Sequence, residues 1–286
     1  MKTEGTEATL DLAQRHHVEE TFHDQKAQRL GPPPARTDFY PEWMGDEHME
    51  MLLRTAGPLT GKRVLDFGCG TGATARWYAH KGAARVEGFD ISSENIRIAE
   101  KNAAREGVAD RVFFRHLAAE DIDYNDNSFD VILGKAIIHH TDLEKTARQL
   151  HRVLAPGGSA IFLEPLNHNP FLNLFRWLTP SRRTPTEQPL SVQQLRIFRR
   201  YFDSVTYRGY YLFTILSHGL LFLTGSRRLF ASSRKLMRKL EEPTLIHLPF
   251  LQKYCWSAIL IFRKAGPNGL VVGENWPKGQ IKVELK

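Results

Sequence analysis

The sequence has only two cysteines, Cys69 and Cys255, in 286 residues. A disulfide framework is excluded, and a reducing, cytoplasmic setting is expected. No apolar run reaches the roughly 20 residues that a bilayer span needs. The longest, Tyr210 to Thr224, contains His218 and Gly219 and reads as a buried or interfacial helix. Met1 to Asp11 is polar and lacks the apolar stretch of a secretory signal, so none is expected. No internal repeat is visible. Cys-x-x-Cys and His-x-x-x-His spacings are also missing, and adjacent His139 and His140 are poor ligands on their own, so no metal centre is expected. With 42% apolar and 25% charged residues, wholesale disorder, collagen and coiled coil are excluded.

Charge is present but unevenly placed. The chain carries +7, yet Pro165 to Lys264 holds sixteen Lys/Arg against four acids. That half is basic and the remainder mildly acidic. A basic half suits an anionic partner, whether a small molecule, a membrane surface or a nucleic acid, or else forms a solvated face.

Gly31-Pro32-Pro33-Pro34 separates a polar, weakly amphipathic N-terminal stretch from a helical pattern over Asp46 to Ala56. From Lys62 strands and helices alternate. Strands are expected at 63–67, 85–89, 111–116, 129–133 and 159–164, with helices at 71–81, 92–106 and 142–154. This rhythm requires a mostly parallel sheet covered by helices on both faces. After Glu164 the pattern predicts a helix at 191–202, a sixth strand at 204–213, a basic-apolar helical insertion at 214–253, and a last strand at 254–263 on an antiparallel edge. The expected division is an N-terminal segment (1–60), a cofactor-binding core (61–165), an acceptor-binding half (166–264) and a tail (265–286).

The sharpest motif is Val64-Leu65-Asp66-Phe67-Gly68-Cys69-Gly70-Thr71-Gly72. A strand delivers an acid, then alternate glycines let the backbone turn tightly and approach a ligand at a helix N-terminus. Asp90 follows at the end of the second strand, where a carboxylate can accept both hydroxyls of a ribose. Gly68-x-Gly70-x-x-Ala73 also fits a dinucleotide fingerprint. Asp66 tips the balance: a carboxylate there would repel a pyrophosphate and suits an ammonium group. Asp-Phe-Gly lacks the catalytic loop that accompanies it in kinases.

Taken together, VLDFGCGTG, VEGFDIS, DNSFDVILGKAIIHH and LHRVLAPGGSAIFLEP resemble the successive motifs of class I S-adenosylmethionine-dependent methyltransferases of the small-molecule type. The resemblance covers Gly61 to Pro165. It implies a Rossmann-like, seven-stranded, mostly parallel sheet with an antiparallel last strand, a helical N-terminal segment and a C-terminal lid insertion. It implies S-adenosyl-L-methionine as cofactor, held by Asp66, Gly68, Cys69, Gly70, Asp90 and Ile91. The family often has an acid where this chain has Ala118, which leaves Ala119 and Glu120 on the adenine side. Lys135 falls beside the methyl-transfer site.

The expected chemistry is methyl transfer to a small, lipophilic and anionic acceptor. Positioning alone supplies much of such a rate, so a catalytic residue is not obligatory. His140 is the candidate base for a hydroxyl or amine acceptor. Glu164, at the carboxyl end of the fifth strand, is the candidate base for carbon methylation of a prenyl-type compound. Tyr40, Trp43, His168, Arg182 and Arg183 are the expected acceptor-binding residues, with the insertion as lid or membrane-surface helix. The competing readings are a nucleic-acid methyltransferase gripping phosphates with the basic half, and a domain that has lost cofactor binding. No Asn-Pro-Pro-Tyr-like motif supports the former, and the intact glycine loop opposes the latter.

Overall fold

The structure, a computed structural model, describes residues 11–28, 42–178, 186–271 and 283–284. Among the described residues eight strands form one sheet in the order β3-β2-β1-β4-β5-β7-β6-β8. β1 (Arg63–Phe67), β2 (Arg85–Asp90), β3 (Val112–His116), β4 (Phe129–Lys135) and β5 (Leu154–Pro165) are parallel. β7 (Ser257–Arg263) runs antiparallel between β5 and β6 (Ser204–Tyr210), and the two-residue β8 (Val283–Glu284) edges β6. The seven-stranded Rossmann-like sheet with an antiparallel last strand is thus present.

Alternate residues of each strand feed two cores. Leu65, Phe67, Ile132 and Phe162 face one layer, and Val64, Val131, Leu133 and Ile161 the other, all buried. Phe67 meets Phe89 and Phe162 edge-on at 4.7 and 5.5 Å between ring centres. The covering helices are α2 (Glu42–Ala56), α3 (Ala73–His80), α4 (Ser93–Arg105) and α5 (Leu143–Val153). Ser92 and Asp142 cap α4 and α5 by accepting the N–H of Asn95 and Lys145. α1 (Leu12–Gln28) precedes them, and α6 (Pro170–Leu178), α7 (Ile215–Thr224) and α8 (Arg227–His247) belong to the second half.

Three expectations are corrected. Residues 191–202 hold no α-helix but a 3₁₀ turn, Gln194–Arg200. The sixth strand ends at Tyr210, because Tyr211 takes a left-handed backbone (φ 68°) and turns the chain out of the sheet. The last strand starts at Ser257, since Pro249–Tyr254 forms another 3₁₀ turn. The turn after β6 is fastened by buried Glu241 of α8, which accepts the N–H groups of Tyr211, Phe213 and Thr214 and the Thr214 hydroxyl. Among the described residues no helix is long and apolar enough to cross a membrane.

Candidate active site

Strand order reverses between β1 and β4, and a crevice opens there at the carboxyl ends of the parallel strands. A cavity of about 320 Å³ occupies it. Its floor is the glycine loop. Gly68 has φ +73°, and a Cβ there would sit 2.8 Å from Ile137, so only glycine fits. Gly70 has φ +51° and faces open space. The Gly70 N–H donates to Asp90 Oδ2 at 2.9 Å, while Asp90 Oδ1 accepts from Ser92 N and Asn95 Nδ2. Asp90 is thereby fixed on the wall, with one lone-pair site on Oδ2 to spare for a ligand.

Eight of the sixteen expected residues meet at this cavity. Gly68, Gly70, Asp90 and Ile91 line one end. Ala119, Glu120, Lys135 and His140 line the remainder. Asp66 and Cys69 are not on the wall but beneath it. Asp66 is buried, accepts the Thr74 hydroxyl at 2.6 Å, and is pushed up to about 7 by burial, against that hydrogen bond. It ties the loop to α3. Burial likewise pushes the Cys69 thiol up.

The roof is α1, not the C-terminal insertion. Arg15, His16, Glu19, His23, Lys26 and Ala27 line the cavity. Arg15 Nη2 donates to the carbonyl of His140 at 3.0 Å, His16 Nε2 lies 3.0 Å from Glu120, and His140 Nδ1 lies 3.1 Å from Glu19. Ser92 Oγ donates to Asp24 at 2.5 Å. Burial opposes ionisation of Glu19, but hydrogen bonds from His140, His23 and Thr186 hold its carboxyl well below the usual range. None of these α1 residues was singled out from sequence. The helix is only weakly amphipathic, and its partners lie a hundred residues away. No described residue of 214–253 lines this cavity. α8 is drawn instead toward α2, where Arg234 and Arg238 pair with Glu47.

Glu164 is also repositioned. It was expected to face the acceptor; it is buried and does not line the cavity. Its Oε1 accepts the N–H groups of Ile137 (2.9 Å) and Ile138 (3.0 Å), and its Oε2 lies 2.6 Å from Nδ1 of His139. It secures the turn after β4, where Ala136 adopts φ 53°. His139 is buried behind that turn, and His140 stands on the wall. His168 is off the wall, its Nε2 accepting the N–H of Val192 at 3.3 Å. Tyr40, Arg182, Arg183 and the side chain of Trp43 lie outside the described residues. Although the sequence spacing suggested no metal ligands, the fold brings Glu187 to His139 and His140. One ring nitrogen of each and a Glu187 carboxylate oxygen lie within 4.8 Å of one another.

Residues 64–158 match the protein family described as "Methyltransferase domain". The methyltransferase GfsG of Streptomyces halstedii is 37% identical over 138 residues, 48% of this chain and 49% of that protein. Ajmaline N-methyltransferase of Rauvolfia serpentina is 33% identical over 145 residues, 50% of this chain and 45% of that protein. This chain therefore spans about half the length of these curated relatives. Among solved structures, geranyl diphosphate C-methyltransferase from Streptomyces coelicolor, in complex with Mg2+, geranyl diphosphate and S-adenosyl-L-homocysteine, superposes with TM-score 0.61 at 14% identity, covering 87% of this chain and 97% of that one. The [4+2]-cyclase SpnF superposes with TM-score 0.59 at 21% identity, covering 88% and 97%. At such identities the likeness is one of fold, and that fold also houses a cyclase.

Proposed function

Since the chain carries a class I S-adenosylmethionine-dependent methyltransferase domain, we propose that it methylates an oxygen or nitrogen atom of a small, lipophilic acceptor. The observation that carries this reading is one cavity with Asp90 and the glycine loop at one end and the Glu19–His140 pair on its wall.

The residues present fit the cofactor. Gly70 faces open space where a side chain would intrude, and Asp90 is fixed on the wall by three N–H donors. Gly68, Gly70, Asp90, Ile91, Ala119 and Glu120 would hold it. Bound there, S-adenosylmethionine supplies a methyl group on a positively charged sulfur, activated for displacement. His140 is the residue that engages the acceptor's hydroxyl or amine, its ring oriented through Nδ1 by Glu19. α1 covers one side of the site. Carbon methylation with Glu164 as base loses its support, because that carboxylate is turned to the backbone of the following turn.

A peripheral contact with an anionic membrane is supported by the second half (166–264). Trp177, Phe222 and Leu223 are 76, 62 and 81% exposed, and α8 interleaves leucines with Arg227, Arg228, Lys235 and Lys239.

The test is calorimetry with S-adenosylmethionine, followed by incubation with methyl-labelled cofactor and a panel of apolar alcohols and amines. One-to-one binding and label on a small molecule are expected, with His140→Ala losing at least ~100-fold in turnover, the usual scale of an acid–base group. Absence of cofactor binding, or label appearing on nucleic acid alone, overturns the reading.

A further inference from the structure

The turn after β4 and the segment after residue 185 meet at a group of donors that methyl transfer as such does not require. We propose that His139, His140 and Glu187 bind one divalent transition-metal ion of the zinc class beside the cofactor cavity. This rests on the reading that His140 meets the acceptor, and it makes that meeting pass through a cation.

Three observations carry it. First, the donors converge: one nitrogen from each ring and one Glu187 oxygen lie within 4.8 Å of one another. Ligands at zinc sit about 2.0–2.2 Å from the ion, so small rotations of half-buried Glu187 and His140 complete the approach. Second, each ring is held as metal-ligating histidines are held. Nδ1 of His139 lies 2.6 Å from Glu164, and Nδ1 of His140 lies 3.1 Å from Glu19. A carboxylate at one ring nitrogen fixes the tautomer, directs the other nitrogen to the ion and raises its basicity. Third, the backbone on either side of Glu187 is anchored at this site. The Gln188 N–H donates to the His139 carbonyl at 3.0 Å, and the Thr186 hydroxyl donates to Glu19.

The donor set selects the ion. Two imidazoles and one carboxylate favour zinc, cobalt or nickel over magnesium or calcium, which prefer all-oxygen sites. Three protein donors leave a fourth position open, as in zinc sites that work on a ligand rather than brace a fold. Because His140 also lines the cavity, that position is available to an acceptor oxygen.

The experiment is titration of the chelator-stripped full chain with Co2+, whose visible absorption reports four-coordinate nitrogen and oxygen ligation. One equivalent is expected, displaced by Zn2+. Glu164→Gln, which spares the ligands, should weaken Co2+ binding by about 10–100-fold. Glu187→Ala should weaken it further while leaving S-adenosylmethionine affinity and circular dichroism unchanged. Glu187 is half-buried and caps no helix, so this variant decides the matter even if His139→Ala fails to fold. Absence of stoichiometric Co2+ binding, or binding unchanged in Glu187→Ala, overturns the proposal. A stripped enzyme that methylates at full rate removes the cation and leaves methyl transfer standing. A chain that binds Co2+ but no cofactor does the reverse.

Discussion

Glu164 Oε2 lies 2.6 Å from His139 Nδ1, while Oε1 of the same carboxylate accepts the N–H groups of Ile137 and Ile138. One buried side chain therefore fixes both a ring and the turn that carries it. The turn needs fixing, because Ala136 just before it sits at φ 53°, a conformation that costs a non-glycine residue roughly 1–2 kcal/mol. Glu164→Gln keeps the shape but sets an amide NH2 against donors. We expect a stability loss of about 1–3 kcal/mol, the cost of a mismatched buried hydrogen-bonding group, with cofactor affinity nearly intact. Urea denaturation and calorimetry measure the two; unchanged stability would assign the turn's rigidity elsewhere.

Gly70 and Gly107 form a matched pair. Both have positive φ (+51° and +69°) with open space where a Cβ would point, but only Gly70 lines the cavity. Alanine at either should cost about 1 kcal/mol in stability through backbone strain. Gly70→Ala alone should weaken S-adenosylmethionine binding, by at least ~10-fold (1.4 kcal/mol). Equal cofactor affinities in the two variants would take the loop out of the binding site.

Asp90 carries a third expectation. Asp90→Ala removes an acceptor on the wall and releases the Gly70 N–H. The loss should be about 1.5–3 kcal/mol of cofactor binding, the scale of a charge-assisted hydrogen bond. Calorimetry on the purified variant reads it directly, and wild-type affinity would remove Asp90 from the ribose side.

Two buried histidines set a pH dependence. Burial, reinforced by Lys135, His218 and Arg234, holds His48 down at about 3. Burial holds His218 at about 4, against a hydrogen bond to the Thr214 carbonyl. An unfolded histidine titrates near 6.5. Above that pH both states are neutral and the native state has its full stability. Below it only the unfolded chain takes up the protons, so stability falls as pH drops from about 6.5 toward 4. At pH 5 this amounts to roughly 2 kcal/mol per histidine. Asp66, raised to about 7 by burial, works the other way, since the native state keeps a proton that the unfolded chain has lost. One group opposes two, and a net loss of about 1–2 kcal/mol between pH 7 and pH 5 is expected. Urea midpoints across that range test it. The double variant His48→Gln, His218→Gln should abolish or invert the slope, and a slope that survives it would have another origin.

α1 supplies the last expectation. Arg15, His16, Glu19 and Asp24 tie it to His140, Glu120 and Ser92 around the cavity. Deleting residues 1–28 should leave a folded sheet and accelerate cofactor release at least ~10-fold, because burial of the ligand by the roof is lost. Stopped-flow displacement measures this, and an unchanged off-rate would deny α1 a covering role.

Much of the site was legible because its residues are close in sequence and act through the backbone. Gly68, Gly70, Asp90 and Ile91 lie on loops that the strand pattern places at the carboxyl edge, and the cavity lies there. Glu164 was placed at the correct strand end, yet its partners were not legible. Period-two alternation gives a side chain's face but not whether the next turn folds back to meet it. Ala136 carries no sequence signal of a left-handed conformation, so the turn that claims the carboxylate was invisible. The insertion misled for a related reason. Its basic-apolar pattern reports an amphipathic surface, but the Glu47 and Glu241 contacts that seat α8 involve partners far away in sequence.

The sequence by itself determined the sheet, the glycine loop and the acid that follows it, since these depend on local periodicity, turn geometry and short spacings. Only the tertiary structure decided which carboxylates stand against His139 and His140. Glu19 comes from α1, Glu164 from the middle of the sheet and Glu187 from beyond β5. A hydrogen bond or a coordination site is set by distances of a few ångströms, and spacing along a chain does not encode these once the partners lie in different elements.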